Sequence, residues 1–369
     1  MKGSISLGKY AGIKVMVHWT FLLLPIWLAY TNVRTGHGWE VLLWNIVFIV
    51  AVFFCVTLHE FGHALMARRF KYKTKDITLL PIGGVARMEE LPENPRQELL
   101  VAIAGPLVNF VIAGLLYLLS LYSNTAFNIQ GQTVVGPENF LFFLMAVNLV
   151  LGLFNLIPAF PMDGGRVLRA LLSFKISRHM ATFIAARFGQ FIAILFAVLG
   201  VFYNPFLILI AIFIFLGAQA EFNMVHSKYM LADHTVGEMV MHKYNVIDAN
   251  DSLRQATALL LDSDSVNFLV MDNGQIVGTL TSAIIMNSLS TCDEHIPVSQ
   301  VMNRKLKIVT PNTRLSEIFM AKHEPQKSSI MPVVEEDRLL GVIDIDNILE
   351  FLMIQQARVQ RQKSNSLAQ

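Results

Sequence analysis

Charge is what this sequence has least of. Only 15% of its 369 residues are Asp, Glu, Lys or Arg, where a soluble globular domain carries about 25%. A shortfall of that size excludes an ordinary water-soluble enzyme along the whole chain and points to a bilayer as the main solvent. Cysteine is nearly absent too. The two present, Cys55 and Cys292, cannot form a disulfide framework, and Cys55 reads as a small apolar filler. The net charge is only +2, and no basic cluster suggests a nucleic-acid partner. The segment from Met1 to Lys14 has no small-residue cleavage site, so the first apolar run is expected to stay as an anchor.

The charge deficit is uneven. Up to about Glu221 long apolar runs dominate; after Asp233 charged and apolar residues alternate as in a soluble domain. The expected organisation is a membrane domain over 1–228, two soluble modules over 233–292 and 295–355, and a polar tail over 356–369. The tail beyond Gln360 is expected to fray.

Six segments have the length and apolarity to span about 30 Å as helices: roughly 15–33, 41–66, 98–121, 139–158, 183–202 and 204–222. The last two are split at Tyr203-Asn204-Pro205, a turn signal. Basic residues flank these runs unevenly. Lys2, Lys9 and Lys14 precede the first, Arg68, Arg69, Lys71, Lys73 and Lys75 follow the second, and Arg166, Arg169, Lys175 and Arg178 follow the fourth. The loop from about Leu121 to Glu138 has no Lys or Arg. An even number of spans with basic even-numbered exits places both termini in the cytoplasm of a multi-pass cell-membrane protein; Arg34 alone opposes this.

The soluble part repeats at an offset of about 62 residues: Val236 to Leu253 parallels Val298 to Leu315. Each copy continues as helix, strand, turn, strand, helix. The Asp272-Asn273-Gly274 turn is a hairpin signal between Phe268-Leu269-Val270 and Ile276-Val277.

The second apolar run ends Thr57-Leu58-His59-Glu60-Phe61-Gly62-His63-Ala64. Histidines four residues apart share one helix face, and H-E-x-x-H binds zinc through both imidazoles with the glutamate as general base. Ionisable side chains inside an apolar run are costly and functional by default. Such a zinc ion needs a third protein ligand. The sequence offers Asp163 in Asn155-Leu156-Ile157-Pro158-Ala159-Phe160-Pro161-Met162-Asp163-Gly164-Gly165-Arg166, where two prolines break the fourth run. By the charge pattern, His63 and Asp163 lie at similar depth.

With HEFGH ending a second span and NLIPAFPMDGGR ending a fourth, the chain resembles the site-2 protease family of membrane metalloproteases, in the branch whose six spans precede CBS domains. The resemblance implies one Zn2+ per chain held by His59, His63 and Asp163. It makes Glu60 the base and places Asn155 near the metal, steadying the polarised carbonyl or the substrate backbone. It implies transmembrane protein substrates, hence regulated intramembrane proteolysis. Asp76 to Met88 resembles the family's short β segment, whose edge could pair with an unwound substrate. Ala104-Gly105-Pro106 with Asn109 resembles another family motif, with close helix packing as its plainer meaning. His18 matches the family's first span and reads as an interfacial or packing residue.

The tail resembles a tandem CBS pair, an α/β module that implies a regulatory site for an adenine nucleotide (ATP or AMP) and a homodimer contact. The nucleotide pattern is degraded in both copies: Ile284 stands where an acid is expected, and the second copy reads Gly341-Val342-Ile343-Asp344-Ile345-Asp346-Asn347. The rival reading is a CBS-gated transporter or channel. Transporters often carry internal repeats among their spans, and none is visible here.

Overall fold

A computed structural model describes residues 3–81, 83–88, 92–122, 134–262, 266–321, 330–336 and 338–367. The chain divides into two compact units, Met1–Asn223 and Met224–Gln369.

The first unit opens with strands where the sequence suggests the lead-in to a helix. Strands β1 (Ser4–Tyr10) and β2 (Ile13–His18) form a hairpin. Ala11 and Gly12 at its turn both have positive φ, 49° and 84°, the backbone a two-residue hairpin turn of right-handed twist requires. Residues 15–18 therefore belong to a sheet and not to the first expected span. The helix that follows, α1 (Leu23–Thr35), has 13 residues, or about 20 Å. It stops at Gly36, whose φ of 71° places it in the left-handed region.

Next come α2 (Trp39–Arg69), strands β3 (Thr74–Leu80) and β4 (Gly83–Met88), α3 (Pro95–Tyr122), α4 (Phe140–Asn155), the short α5 (Asp163–Ser173), α6 (Arg178–Phe202) and α7 (Phe206–Leu231). Four of these helices, α2, α3, α6 and α7, are long and apolar enough to cross a membrane; α4, with 16 residues, is apolar but shorter. Where the sequence suggests six full spans, the described residues thus hold four. The fourth run ends at Asn155 because residues 156–162, with their two prolines, leave the helix. Tyr203-Asn204-Pro205 separates α6 from α7 as expected. The part of the Leu121–Glu138 loop over 123–133 lies outside the described residues, as does Ile82 at the β3–β4 turn.

The four strands make one sheet in the order β1-β2-β3-β4, with β2 and β3 parallel and the outer pairs antiparallel. Its apolar face packs on α2: Ile13, Ile77 and Leu79 form a buried cluster with Ala64, flanked by Phe53 and Phe61. The sheet is thereby fixed to the helix that carries both motif histidines. On its polar side Arg87 grips Asp76 through two hydrogen bonds of 2.8 and 2.6 Å.

The second unit contains the repeat. Its first copy has β5 (Asn245–Asp248), α8 (Leu253–Asp262), β6 (Asn267–Asp272), β7 (Gln275–Thr281) and α9 (Ser282–Leu289). After the short α10 (Val298–Val301), the second copy has α11 (Leu315–Ala321), β8 (Ile330–Glu335), β9 (Arg338–Asp344) and α12 (Ile345–Leu367). Asn273 and Gly274 turn the β6–β7 hairpin with φ of 49° and 80°. Each copy has its own core, one around Phe268, Val270 and Leu280, the other around Leu315, Val333 and Ile343. A third cluster, Leu269 with Ile330 and Val342, joins them. The final stretch, expected to fray from Gln360, continues α12 as far as Leu367.

Candidate metal centre

Three side chains converge in the first unit. His59 and His63 come from consecutive turns of α2, and Asp163 is the first residue of α5. All three are buried, at 3–7% exposure, and their ligand atoms lie within 4.8 Å of one another. His59 Nε2 and His63 Nε2 are 3.1 Å apart; Asp163 Oδ2 is 3.2 Å from the first and 3.0 Å from the second.

The protonation chemistry shows what this triangle suits. His63 Nδ1 lies 2.7 Å from the carbonyl oxygen of Val101. A carbonyl only accepts, so Nδ1 carries the proton, and a neutral ring then turns the lone pair of Nε2 toward the Asp163 carboxylate. With the Nε2 lone pairs of both rings facing the carboxylate, three acceptors about 3 Å apart suit a cation between them. Two imidazoles and a carboxylate are a zinc donor set, and ligands on a tetrahedral ion with bonds of about 2.0–2.1 Å sit about 3.3 Å apart. The residues fit a zinc ion, and the Val101 carbonyl is placed as the outer partner such a ligating imidazole would need. His59 Nδ1, also buried, meets no protein acceptor among the described residues.

Backbone close to the triangle leaves no room for a side chain. A Cβ on Gly105 of α3 would collide with His63 Nε2 and stand 2.7 Å from His59 Nε2. The Ala104-Gly105-Pro106 motif therefore does more than let helices approach: it is part of the wall of the site. Gly164 and Gly165 seat α5 against the preceding loop, where a Cβ would strike the Leu156 and Ile157 carbonyls or come within 2.6 Å of Phe160 N. Asp163 follows Met162, the N-cap residue of α5, and its own carboxylate goes to the histidines instead of capping the helix.

Glu60 follows His59 on α2 and is half-buried. Gly84 of β4 lies over it, such that a Cβ there would be 2.7 Å from Glu60 Cγ. The sheet edge and the glutamate are thus neighbours. Asn155 ends α4, and among the described residues no hydrogen bond joins it to the triangle. His18 is elsewhere, with its Nδ1 2.7 Å from Thr20 Oγ1.

One group stands in the sequence only as flanking charge. Arg169 of α5 is fully buried, bonded to Glu98 of α3 and to Glu221 of α7. Its signal was available: Glu98 and Glu221 each lie at the end of an apolar run where a lone acid is costly without a partner.

Two histidines and the glutamate of an H-E-x-x-H helix, with a buried aspartate brought against them, are the arrangement expected of a zinc-dependent metallohydrolase. The family model for peptidase family M50 matches residues 47–134 and 126–200, and that for the CBS domain matches 236–291 and 298–354. Zinc metalloprotease MJ0392 of Methanocaldococcus jannaschii is 32% identical over 355 residues, 96% of this chain and 97% of that protein. Stage IV sporulation protein FB of Bacillus subtilis is 31% identical over 162 residues, 44% of this chain and 48% of that protein. Among solved structures, a site-2 protease from Methanocaldococcus jannaschii is 40% identical, with a TM-score of 0.45, covering 59% of this chain and 95% of that one. The chain belongs to peptidase family M50, the site-2 proteases, and carries a tandem CBS pair. It is a zinc metalloprotease.

Proposed function

We propose that this metalloprotease cleaves peptide bonds of membrane-spanning proteins within or near the bilayer, and that its CBS pair regulates the cleavage. The observation that carries the reading is the convergence of His59, His63 and Asp163 at 3.0–3.2 Å in a unit whose main helices are apolar enough to span a membrane.

In this reading His59 Nε2, His63 Nε2 and Asp163 Oδ2 hold one zinc ion. When bound, zinc supplies Lewis acidity, which acidifies water and polarises a peptide carbonyl. Glu60 accepts the proton of the attacking water on its carboxylate and delivers it to the leaving amide nitrogen. The Val101 carbonyl holds the His63 ring in one tautomer throughout. A substrate helix hides its carbonyls in its own hydrogen bonds, so it must unwind before Glu60 can act on it. The edge of β4 beside Glu60 offers backbone partners to such an unwound segment. Asn155 is assigned to steadying the substrate carbonyl or backbone.

The same reading has six crossings, α1 and α4 being the shorter ones, with both termini in the cytoplasm; the distribution of Lys and Arg supports it. The CBS pair is assigned an adenine-nucleotide response and a homodimer contact. The nucleotide assignment has a specific difficulty. Asp344, which stands at the Ser/Thr place of the second copy's pattern while Asn347 stands at its acid place, already accepts a 2.6 Å hydrogen bond from Asn267 of the first, which commits one of its oxygens to joining the copies.

The test is cleavage of single-span reporters by purified protein, wild type against Glu60→Gln, with and without ATP. Loss of the general base lowers turnover by about 10²–10⁴-fold while bound zinc stays at one per chain. Equal cleavage by both proteins removes Glu60 from its role. A wild type that holds zinc and cuts soluble but not membrane-spanning substrates removes the intramembrane assignment.

A further inference from the structure

Asp163 lies 100 residues from His63 in sequence, so the third ligand reaches the histidines only if α5 is held in place against α2. The residue best placed to hold it is Arg169. It is 0% exposed and lies six residues after Asp163 on the same helix, about 9 Å along the axis and on a different face. It cannot touch a metal at the triangle, but it fixes the helix in three directions. Its Nε and Nη2 donate to Glu98 Oε1 of α3 at 2.8 and 2.5 Å. Its Nη1 donates to Glu221 Oε1 of α7 at 2.6 Å. Its guanidinium lies 5.0 Å from the centre of the Phe160 ring, in the loop that delivers Asp163. Arg178 of α6 holds the other oxygen of Glu98 at 2.8 Å.

The far end of this network returns to the site. Glu98 is one turn before Val101, whose carbonyl accepts the proton of His63 Nδ1, and Gly105 follows one turn later against both imidazoles. The Arg169–Glu98 pair therefore joins the helix that supplies the carboxylate ligand to the helix that orients a histidine ligand. Stability alone is a poor reason for such a cluster, since well-packed apolar side chains often replace buried ion pairs at no loss. A planar fork with fixed donor directions gives something apolar packing does not, a defined distance and angle between α5 and α3. We propose that Arg169, acting through Glu98 and Glu221, is a positioning residue that sets Asp163 at bonding distance from the metal.

The inference rests on the zinc reading above, and its test separates the two. Full-length wild type, Arg169→Met, Arg169→Lys and Glu98→Gln are stripped of metal. Each is titrated with Zn2+ against a chromophoric chelator and with Co2+ while its visible spectrum is recorded. Thermal unfolding of the metal-free proteins measures any purely structural loss. Zinc affinity is expected to fall by about 10–100-fold in Arg169→Met and to fall in Arg169→Lys as well, because an ammonium keeps the charge but loses the fork. The cobalt spectrum should change in both, and kcat should drop with KM unaltered. Should Arg169→Met fail to fold, the lysine and glutamine variants, which nearly preserve volume, carry the same expectation. Variants that bind Zn2+ within twofold of wild type with an unchanged cobalt spectrum overturn the positioning role, whatever their unfolding temperature. A wild type that takes up no Zn2+ overturns the metal reading and this inference together.

Discussion

At the scale of single residues, the site is defined as much by a missing side chain as by those present. Gly105 faces the Nε2 atoms of both histidines, so Gly105→Ala pushes a methyl group into the space the proposed zinc ion needs. The expected outcome is a loss of bound zinc of at least about tenfold, measured by elemental analysis, with helix content by circular dichroism near that of wild type. Full zinc occupancy in that variant would show that the imidazoles can swing away at little cost. The three side chains proposed as zinc ligands stand out in the sequence. A spacing of four puts His59 and His63 on one face of any helix, and a carboxylate in a proline-broken stretch stands out in an apolar chain. Gly105 and Arg169 were not legible as site residues. A glycine in an apolar helix has packing as its ordinary meaning, and an arginine after a span has topology as its ordinary meaning; only the three-dimensional neighbours separate those meanings from these.

At the scale of elements, the sheet is the part the sequence disclosed least. Asp76 to Met88 announces a strand pair through its Pro-Ile-Gly-Gly turn. The partner hairpin of β1 and β2 is harder to see, because Ile13 to His18 runs straight into the apolar stretch that follows and merges with it in any hydropathy window. The apolar alternation Ile13, Val15, Val17 and the Ala11-Gly12 turn were the available signals. Once the four strands are joined, β4 has a fixed position over Glu60. Gly84→Val would place branched atoms where even a Cβ stands 2.7 Å from Glu60 Cγ and 3.2 Å from Val56 Cγ1. Either β4 lifts or Glu60 turns away. Peptidase turnover is expected to fall by about tenfold or more, in keeping with the role proposed for Glu60 as a general base worth about 10²–10⁴, while zinc content stays at the wild-type level. Reporter cleavage and metal analysis on one preparation read both quantities. Zinc lost together with turnover would mean that the sheet supports α2 as a whole and has no particular bearing on the glutamate.

At the scale of the molecule, the two units are each closed around their own apolar clusters, and the boundary between them differs from the one composition suggests. The change from apolar runs to mixed charge places the membrane domain at 1–228 and the first soluble module from 233, leaving Leu231 to neither. In the structure Leu231 is 0% exposed and packs with Val236, Leu315, Ile318, Val333 and Ile348 in the core of the second CBS copy. The last turn of α7 thus supplies a core residue to the second unit, which a hydropathy profile cannot show because a leucine ending an apolar helix looks like membrane. A fragment beginning at residue 226 should fold as a soluble module, whereas one beginning at 233 loses a buried leucine and keeps a cavity in its place. Such a loss costs about 2–5 kcal/mol, which for a unit of this size lowers the unfolding midpoint by about 10 °C. Thermal circular dichroism of the two fragments measures the difference, and Leu231→Ala in the longer fragment should reproduce most of it. Equal midpoints for all three would mean that the second copy closes its core without α7.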